Sequence, residues 1–250
     1  GQMPSLGVAP NVNSYNALIQ CCAEAGEPAA AVEWFNSMIR EGLEPSENSY
    51  VEIIRAYNKV SDRAGATQWF NRMLVVGTPP SLDSYFAMIG SCVQAKDTPG
   101  AVTWFERMIS LGIKPDRRCY TMIIKAFAEA GDTRQAAAWL DRMAESVGVD
   151  AYPYNEVLKA CNYARDAAGA TQWLERMQEA GLTPDEFSYG LVIRTCAEAG
   201  DSEGALAWAE RMRVQKLDES KLPYEKVAKS LAQAQDADGA ARWLERAHEA

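Results

Sequence analysis

Histidine is almost absent from this chain. His248 is the only one, and none of the six cysteines (Cys21, Cys22, Cys92, Cys119, Cys161 and Cys196) forms a C-x-x-C pair. A structural zinc site needs four such ligands at short spacings, so neither a metal centre nor any other cofactor is expected. The wide cysteine spacing does not look like a disulfide framework, which makes a reducing compartment the default. Long apolar runs are missing too. No stretch approaches the ~18 residues that a membrane-spanning helix needs, so no membrane insertion is expected. The opening GQMPSLGVAPN has neither a basic segment nor an apolar core and does not read as a secretory signal. Positive charge is scarce: 25 Lys and Arg face 34 Asp and Glu, for a net charge of −9. Phosphate contacts need clustered cations, so a nucleic-acid role requires charge gathered on one face. Catalytic groupings are lacking as well: there is no nucleophile–base pair in a recognisable motif and no phosphate-cradling Gly loop. An enzyme is not expected, and neither is a small-molecule substrate.

What the chain has instead is a beat. The tryptophans fall at Trp34, Trp69, Trp104, Trp139, Trp173, Trp208 and Trp243, with steps of 35, 35, 35, 34, 35 and 35. Nineteen residues before each stands a tyrosine: Tyr15, Tyr50, Tyr85, Tyr120, Tyr154, Tyr189 and Tyr224. An alanine lies three before every Trp, and a methionine four after it in six units, with Ala247 in the seventh. Periods of this length mean stacked structural units rather than a globule.

Each unit reads as two helices. In the first, Tyr15, Leu18, Ile19 and Cys22 follow i, i+3, i+4, i+7 spacing. Ser14, Ser49, Ser84 and Ser188, each just before a Tyr, are expected N-caps, and Gly26, Gly131 and Gly200 expected C-caps. An acidic residue then recurs in all seven units (Glu27, Asp62, Asp97, Asp132, Asp166, Asp201 and Asp236), as a cap or first-turn charge of the second helix. On that helix Ala, Trp and Met share one face, so each Trp is expected to join a unit to its neighbours. Burying ~200 Å² of indole at ~25 cal/mol per Å² gives roughly 5 kcal/mol as an upper bound.

The expected fold is therefore all-α, a right-handed α-solenoid superhelix of about seven helix-turn-helix repeats. Met3, Gly7, Pro10 and Asn11 match the close of a unit, and the final WLERAHEA stops short of one. The expectation is thus a piece of a longer array. Residues 1–11 end a preceding repeat; repeats follow at 12–46, 47–81, 82–116, 117–150, 151–185 and 186–220, with 221–250 an incomplete seventh.

A 35-residue hairpin with SYNALIQCCAEAG, AVEWFNSM and GIKPD resembles the pentatricopeptide repeat family, over nearly the whole chain. That resemblance implies an α-solenoid binding single-stranded RNA at about one base per repeat, in RNA processing, stability or translation, within a chloroplast or mitochondrion. It also implies which residues read the base: the one after the Tyr, and the last of the unit. The matching pairs are Asn16 with Ser46, Thr121 with Asp150, and Asn155 with Asp185, which suggest C, G and U. Weaker matches are Val51 with Ser81, Phe86 with Asp116, Gly190 with Ser220, and Glu225 alone. Wedges between bases, two before the Tyr, are Tyr152, Phe187 and Leu222, but Asn13, Asn48, Asp83 and Arg118 hold that place in the first four units. Of the family's phosphate lysine, nine after the Tyr, Lys59 remains, while Glu24, Glu129 and Glu198 stand at three other units.

Five after the Tyr, Arg55, Lys125, Lys159, Arg194 and Lys229 make a basic stripe one turn beyond the base-reading position, as phosphate contacts or as partners in ion pairs within the helix. A second line, Arg72, Arg107, Arg142, Arg176, Arg211 and Arg246, reads as structural. The alternative function is a protein–protein scaffold or a structural subunit of an organellar complex, with protein partners in place of RNA. It draws on the acidic balance and the polar wedge positions.

Overall fold

The computed structural model describes residues 10–218, 222, 224–233 and 235–249. Among them every regular element is helical, and no strand occurs. The first helices of the hairpins are α1 (Val12–Ala25), α3 (Glu47–Lys59), α5 (Leu82–Gln94), α7 (Arg117–Glu129), α9 (Ala151–Ala164), α11 (Glu186–Glu198) and α13 (Tyr224–Gln233). The second helices are α2 (Pro28–Arg40), α4 (Arg63–Val75), α6 (Thr98–Ser110), α8 (Thr133–Ser146), α10 (Ala167–Glu179), α12 (Ser202–Val214) and α14 (Ala237–Glu249). They gather in two compact units, residues 1–122 and 123–250. Within the first, α3 packs on α1, α2, α4 and α5; within the second, α11 packs on α9, α10, α12 and α13. Within each unit the hairpins thus touch their sequence neighbours, as in an α-solenoid.

The helices begin where a side chain can take up a free amide. Asn11 Oδ1 accepts from the Ser14 N–H at 3.0 Å, Asp116 Oδ1 from Cys119 at 3.0 Å, and Asp185 Oδ1 from Ser188 at 2.9 Å. The serines expected as N-caps are not the caps. They stand one turn inside, at N3, where Ser49 and Ser84 accept from the N–H of Ser46 and Ser81 at 3.1 and 2.9 Å, each closing a capping box. The second helices are capped by the recurring acid. Asp62, Asp97, Asp132, Asp166, Asp201 and Asp236 each accept from the amide three residues on, at 2.8–3.0 Å. Glu27, one methylene longer, makes no such bond. In the 34-residue unit α8 gains one residue, and six residues of turn (111–116 in the unit before) shrink to four (147–150).

The core is a ladder of aromatic contacts. Phe35 meets Tyr50 and Trp69 of the next hairpin edge-on, both at 5.0 Å between centroids. Phe70 does the same with Tyr85 at 5.3 Å and Trp104 at 4.8 Å, and Phe105 with Tyr120 at 4.9 Å. In the second unit Leu140, Leu174 and Ala209 take the Phe position and are equally buried. The Trp expected as the joining residue is therefore one wall of a slot, and the residue after it is the tongue. The tongue shares the Ala and Met stripe at i, i+4, i+7, so that Ala31, Phe35 and Met38 are wholly buried. The second arginine line covers the ladder's open side: Arg72, Arg142, Arg176 and Arg211 lie 4.2–4.6 Å from the indole of their own Trp. All six cysteines are free thiols; burial pushes Cys119, Cys161 and Cys196 up to about 12.

Eleven residues after each Tyr the backbone turns left-handed. Gly26, Gly131 and Gly200 fill that place with φ of 73°, 73° and 82°, but so do Lys96 and Arg165 with φ of 55° and 54°. A non-glycine residue there costs ~1 kcal/mol or more. Lys96→Gly in the first unit and Arg165→Gly in the second should each raise stability by ~0.5–1 kcal/mol in urea unfolding, and Gly131→Ala should lower it by a similar amount.

Candidate nucleic-acid interface

The residue after the Tyr and the last residue of the unit meet through the helix cap. In the first unit Ser49 Oγ donates to Asn16 Oδ1 at 2.7 Å, and Asn16 Nδ2 donates to Ser46 Oγ at 3.2 Å. In the second, Ser188 Oγ lies 2.7 Å from Asn155 Oδ1 and 2.8 Å from Asp185 Oδ1. None of these bonds uses Asn155 Nδ2 or the second oxygen of Asp185. The N3 serine, which the sequence reading assigned to capping alone, is the link that fixes both amides.

The remaining pairs differ. Thr121 is half-buried on α7 in the first unit, and Asp150 caps α9 in the second, accepting from Tyr152 at 3.1 Å. Val51 is buried and carries no polar group, beside a Ser81 occupied as the cap of α5. Phe86 lies under the guanidinium of Arg118 at 4.9 Å. Gly190 faces open space, Glu225 is exposed, and Ser220 lies outside the described residues.

Two of the three expected wedges protrude. Tyr152 and Phe187 are 53% and 52% exposed, and Lys159 Nζ stands 5.9 and 5.5 Å from their ring centres. Leu222 departs from expectation: it is 5% exposed, packed into the protein instead of standing out from it.

Four cations of the basic stripe are ion-paired on their own helices. Arg55 meets Glu52 and Lys159 meets Glu156, both at 2.7 Å. Lys125 meets Glu129 and Arg194 meets Glu198, both at 3.7 Å. Arg194 also donates to Asn162 Oδ1 at 2.6 Å. Lys59 and Lys229 are exposed.

Comparison with known families settles the class of these hairpins. The pentacotripeptide-repeat region of PRORP matches residues 2–150, a pentatricopeptide repeat domain matches 144–199, and a PPR repeat matches 187–217. The chain belongs to the pentatricopeptide repeat family. No curated protein matches it. Among solved structures, it is similar to the pentatricopeptide repeat protein PPR10 in complex with an 18-nt psaJ RNA element, with a TM-score of 0.79 at 20% identity, covering 99% of this chain and 36% of that one. PPR10 from maize gives 0.75 at 19%, covering 99% and 40%. The PPR domain of Arabidopsis thaliana protein-only RNase P 1, in complex with tRNA, gives 0.57 at 18%, covering 71% and 94%. The chain thus spans about a third of PPR10's length. These likenesses show the shared α-solenoid fold.

Two pentatricopeptide positions carry groups that the sequence reading passed over. Glu52 and Glu156, two after the Tyr, are 5% and 2% exposed, carboxylates inside the helix face. Burial pushes the Glu52 carboxyl up, against the pull of Arg55. An acid raised in the folded state contributes stability that is full below its unfolded value and is lost as pH rises through the folded one. Glu52→Gln should therefore stabilise the first unit at pH 7 by up to ~1 kcal/mol, with the gain shrinking towards pH 4.5. Arg55 is 44% exposed in its side chain and stays solvated without its partner. Denaturant unfolding at the two pH values checks this.

The second position is Asn58, whose Oδ1 is buried without a partner while Nδ2 donates to the Ala87 carbonyl at 2.8 Å. Its counterpart Asn162 receives Arg194. The register of Arg194 is held in α5 by Gly90, where a Cβ would meet Met122 at an ordinary 3.6 Å. Gly90→Ala should stabilise by ~1 kcal/mol through helix propensity, and Gly90→Arg by about 1 kcal/mol more if its guanidinium reaches Asn58. Equal gains in thermal unfolding would show that the Asn58 carbonyl stays unpaired.

Proposed function

We propose that this chain binds single-stranded RNA, about one base per repeat, and acts in RNA processing, stability or translation. Two observations carry the proposal together: Tyr152 and Phe187 are exposed rings one repeat apart, and Asn155 and Asp185, which lie between them in the sequence, are linked through Ser188. A base between two such rings gains ~1–3 kcal/mol from stacking, whatever its identity. Its Watson–Crick edge then meets two groups already held in place, an amide able to donate and a carboxylate able to accept. By family resemblance that pair selects U, and Thr121 with Asp150 selects G. PPR10 solved with RNA and the RNase P 1 domain solved with tRNA support the partner class. The organellar setting, chloroplast or mitochondrion, rests on family resemblance.

The first unit offers less for a base. Val51 cannot hydrogen-bond, and Asn13, Asn48 and Asp83 stand where the second unit has rings. A protein partner on that unit is the second reading.

Selection from a randomised single-stranded RNA pool tests both. The expected result is an enriched motif holding G beside U, lost in Asn155→Ala, with affinity falling ~10-fold or more in Tyr152→Ala/Phe187→Ala. Six free cations would give a salt slope of about −4, so the ion pairs predict a slope shallower than about −2. No retention at low salt would sink the RNA reading and favour the protein partner.

A further inference from the structure

The third repeat has its reading position filled by the protein itself. Phe86 follows Tyr85, where a base-reading side chain is expected, and Asp116 closes the repeat. Arg118, at the wedge position of the next repeat, reaches back over both. Its guanidinium lies 4.9 Å from the Phe86 ring centre, its Nε donates to Asp116 Oδ2 at 2.7 Å, and one terminal nitrogen donates to Asp83 Oδ1 at 3.2 Å. Asp83 is itself the wedge position of the third repeat. One planar cation therefore ties together all four positions that would hold a base. The second oxygen contact of Asp116 is spent as well, since Oδ1 caps α7 at Cys119. Burial works against ionisation of Asp116, but the hydrogen bonds from Arg118 and Cys119 outweigh it and hold the carboxyl below the usual carboxylate range.

We propose that Arg118 is an internal plug that makes the third repeat silent, a specificity-determining residue that stands in place of a base. A guanidinium is flat, stacks on an aromatic face and presents N–H donors in its plane. Those are the properties by which a nucleobase would occupy the slot, so the two compete for it. The plug is built from parts of opposite character at each position: an aromatic floor, a carboxylate edge and a second carboxylate where the family carries an apolar wedge. The second unit carries Tyr152, Asn155, Asp185 and Phe187 in place of Asp83, Phe86, Asp116 and Arg118; there the cation near the two rings, Lys159, pairs with Glu156 on its own helix.

This inference rests on the RNA reading, and the test separates the two. The full chain, Arg118→Val and Phe86→Asn/Arg118→Val are put through the same randomised RNA selection. The wild type is expected to leave the nucleotide facing the third repeat unconstrained, with less than 2-fold preference among bases. The double variant is expected to enrich U there by ~5-fold or more, with total affinity unchanged or higher. Lower affinity in Arg118→Val together with a shallower salt slope would overturn the plug and make Arg118 a phosphate contact. Unchanged selection in the double variant, with the motif elsewhere intact, would also overturn it. Should the wild type retain no RNA, the recognition reading falls, and the plug is judged without RNA. The Arg118 Nε–H resonance is then expected to be ring-current shifted, and to lose that shift in Phe86→Leu. A random-coil Nε–H in the wild type would overturn it.

Discussion

One contact of the first unit sets what the rest can do: the side chain after a Trp inserted between the Tyr and the Trp of the following repeat. In the first unit this is Phe35 against Tyr50 and Trp69, and Phe70 against Tyr85 and Trp104. Each edge-to-face pair is worth about 0.5–1.5 kcal/mol beyond its buried area. Because Phe35, Phe70 and Phe105 each pack on the repeat that follows, stability is expected to be a sum of neighbour terms. The tongue changes along the chain from Phe to Leu and then to Ala209, while Tyr224 and Trp243, the slot residues of the unit that follows Ala209, remain. The ladder therefore tolerates a smaller tongue as long as both walls persist, and the walls are the residues that keep the beat.

The cap joins this architecture to the recognition face. Ser46, Ser81, Asp116, Asp150 and Asp185, each the last residue of its unit, start the next helix, and so they cannot move without unravelling a turn. In Asp185 a single oxygen accepts from the Ser188 amide and, 2.8 Å from the Ser188 hydroxyl, shares that hydroxyl's one proton with Asn155 Oδ1 at 2.7 Å. A residue placed to cap is thereby held at a fixed distance from the residue after the Tyr. Preorganisation of this kind removes the ordering cost that a ligand would otherwise meet. It would also let two positions that lie 30 residues apart in the chain act together in the proposed reading of a base.

The sequence made the hairpins legible because Tyr, Ala, Trp and Met repeat in a register that only two helices per unit can satisfy. The tongue was less visible because Phe, Leu and Ala differ in type at one position, and a pattern search keys on identity before volume. The N3 serines were read as caps because a Ser before an apolar run fits either place; the helix in fact starts one turn earlier, at Asn11, Ser46, Ser81 and Asp185. The ion pairs of the basic stripe were half legible. Lys125 with Glu129 and Arg194 with Glu198 stand at i, i+4, but Glu52 and Glu156 lie on a buried face that composition does not reveal. Leu222 had the right residue type for a wedge and the wrong burial, which is a tertiary property.

If this acidic chain binds RNA as proposed, it does so without relying on charge. The cations nearest the reading positions are largely matched by carboxylates on their own helices, so few counterions are released when a strand arrives. What is left is stacking on Tyr152 and Phe187 and hydrogen bonding at Asn155 and Asp185, and both demand an unpaired, splayed base. Non-specific attraction is low for the same reason, because an anionic surface repels strands that make no base contacts. The acidic balance then raises the ratio of specific to non-specific binding even as it lowers total affinity. On the proposed reading the carboxylates at Glu24, Glu129 and Glu198 would serve the selectivity of the interface and not count as lost contacts, since each would remove sequence-blind attraction and leave Asn155 and Asp185 untouched.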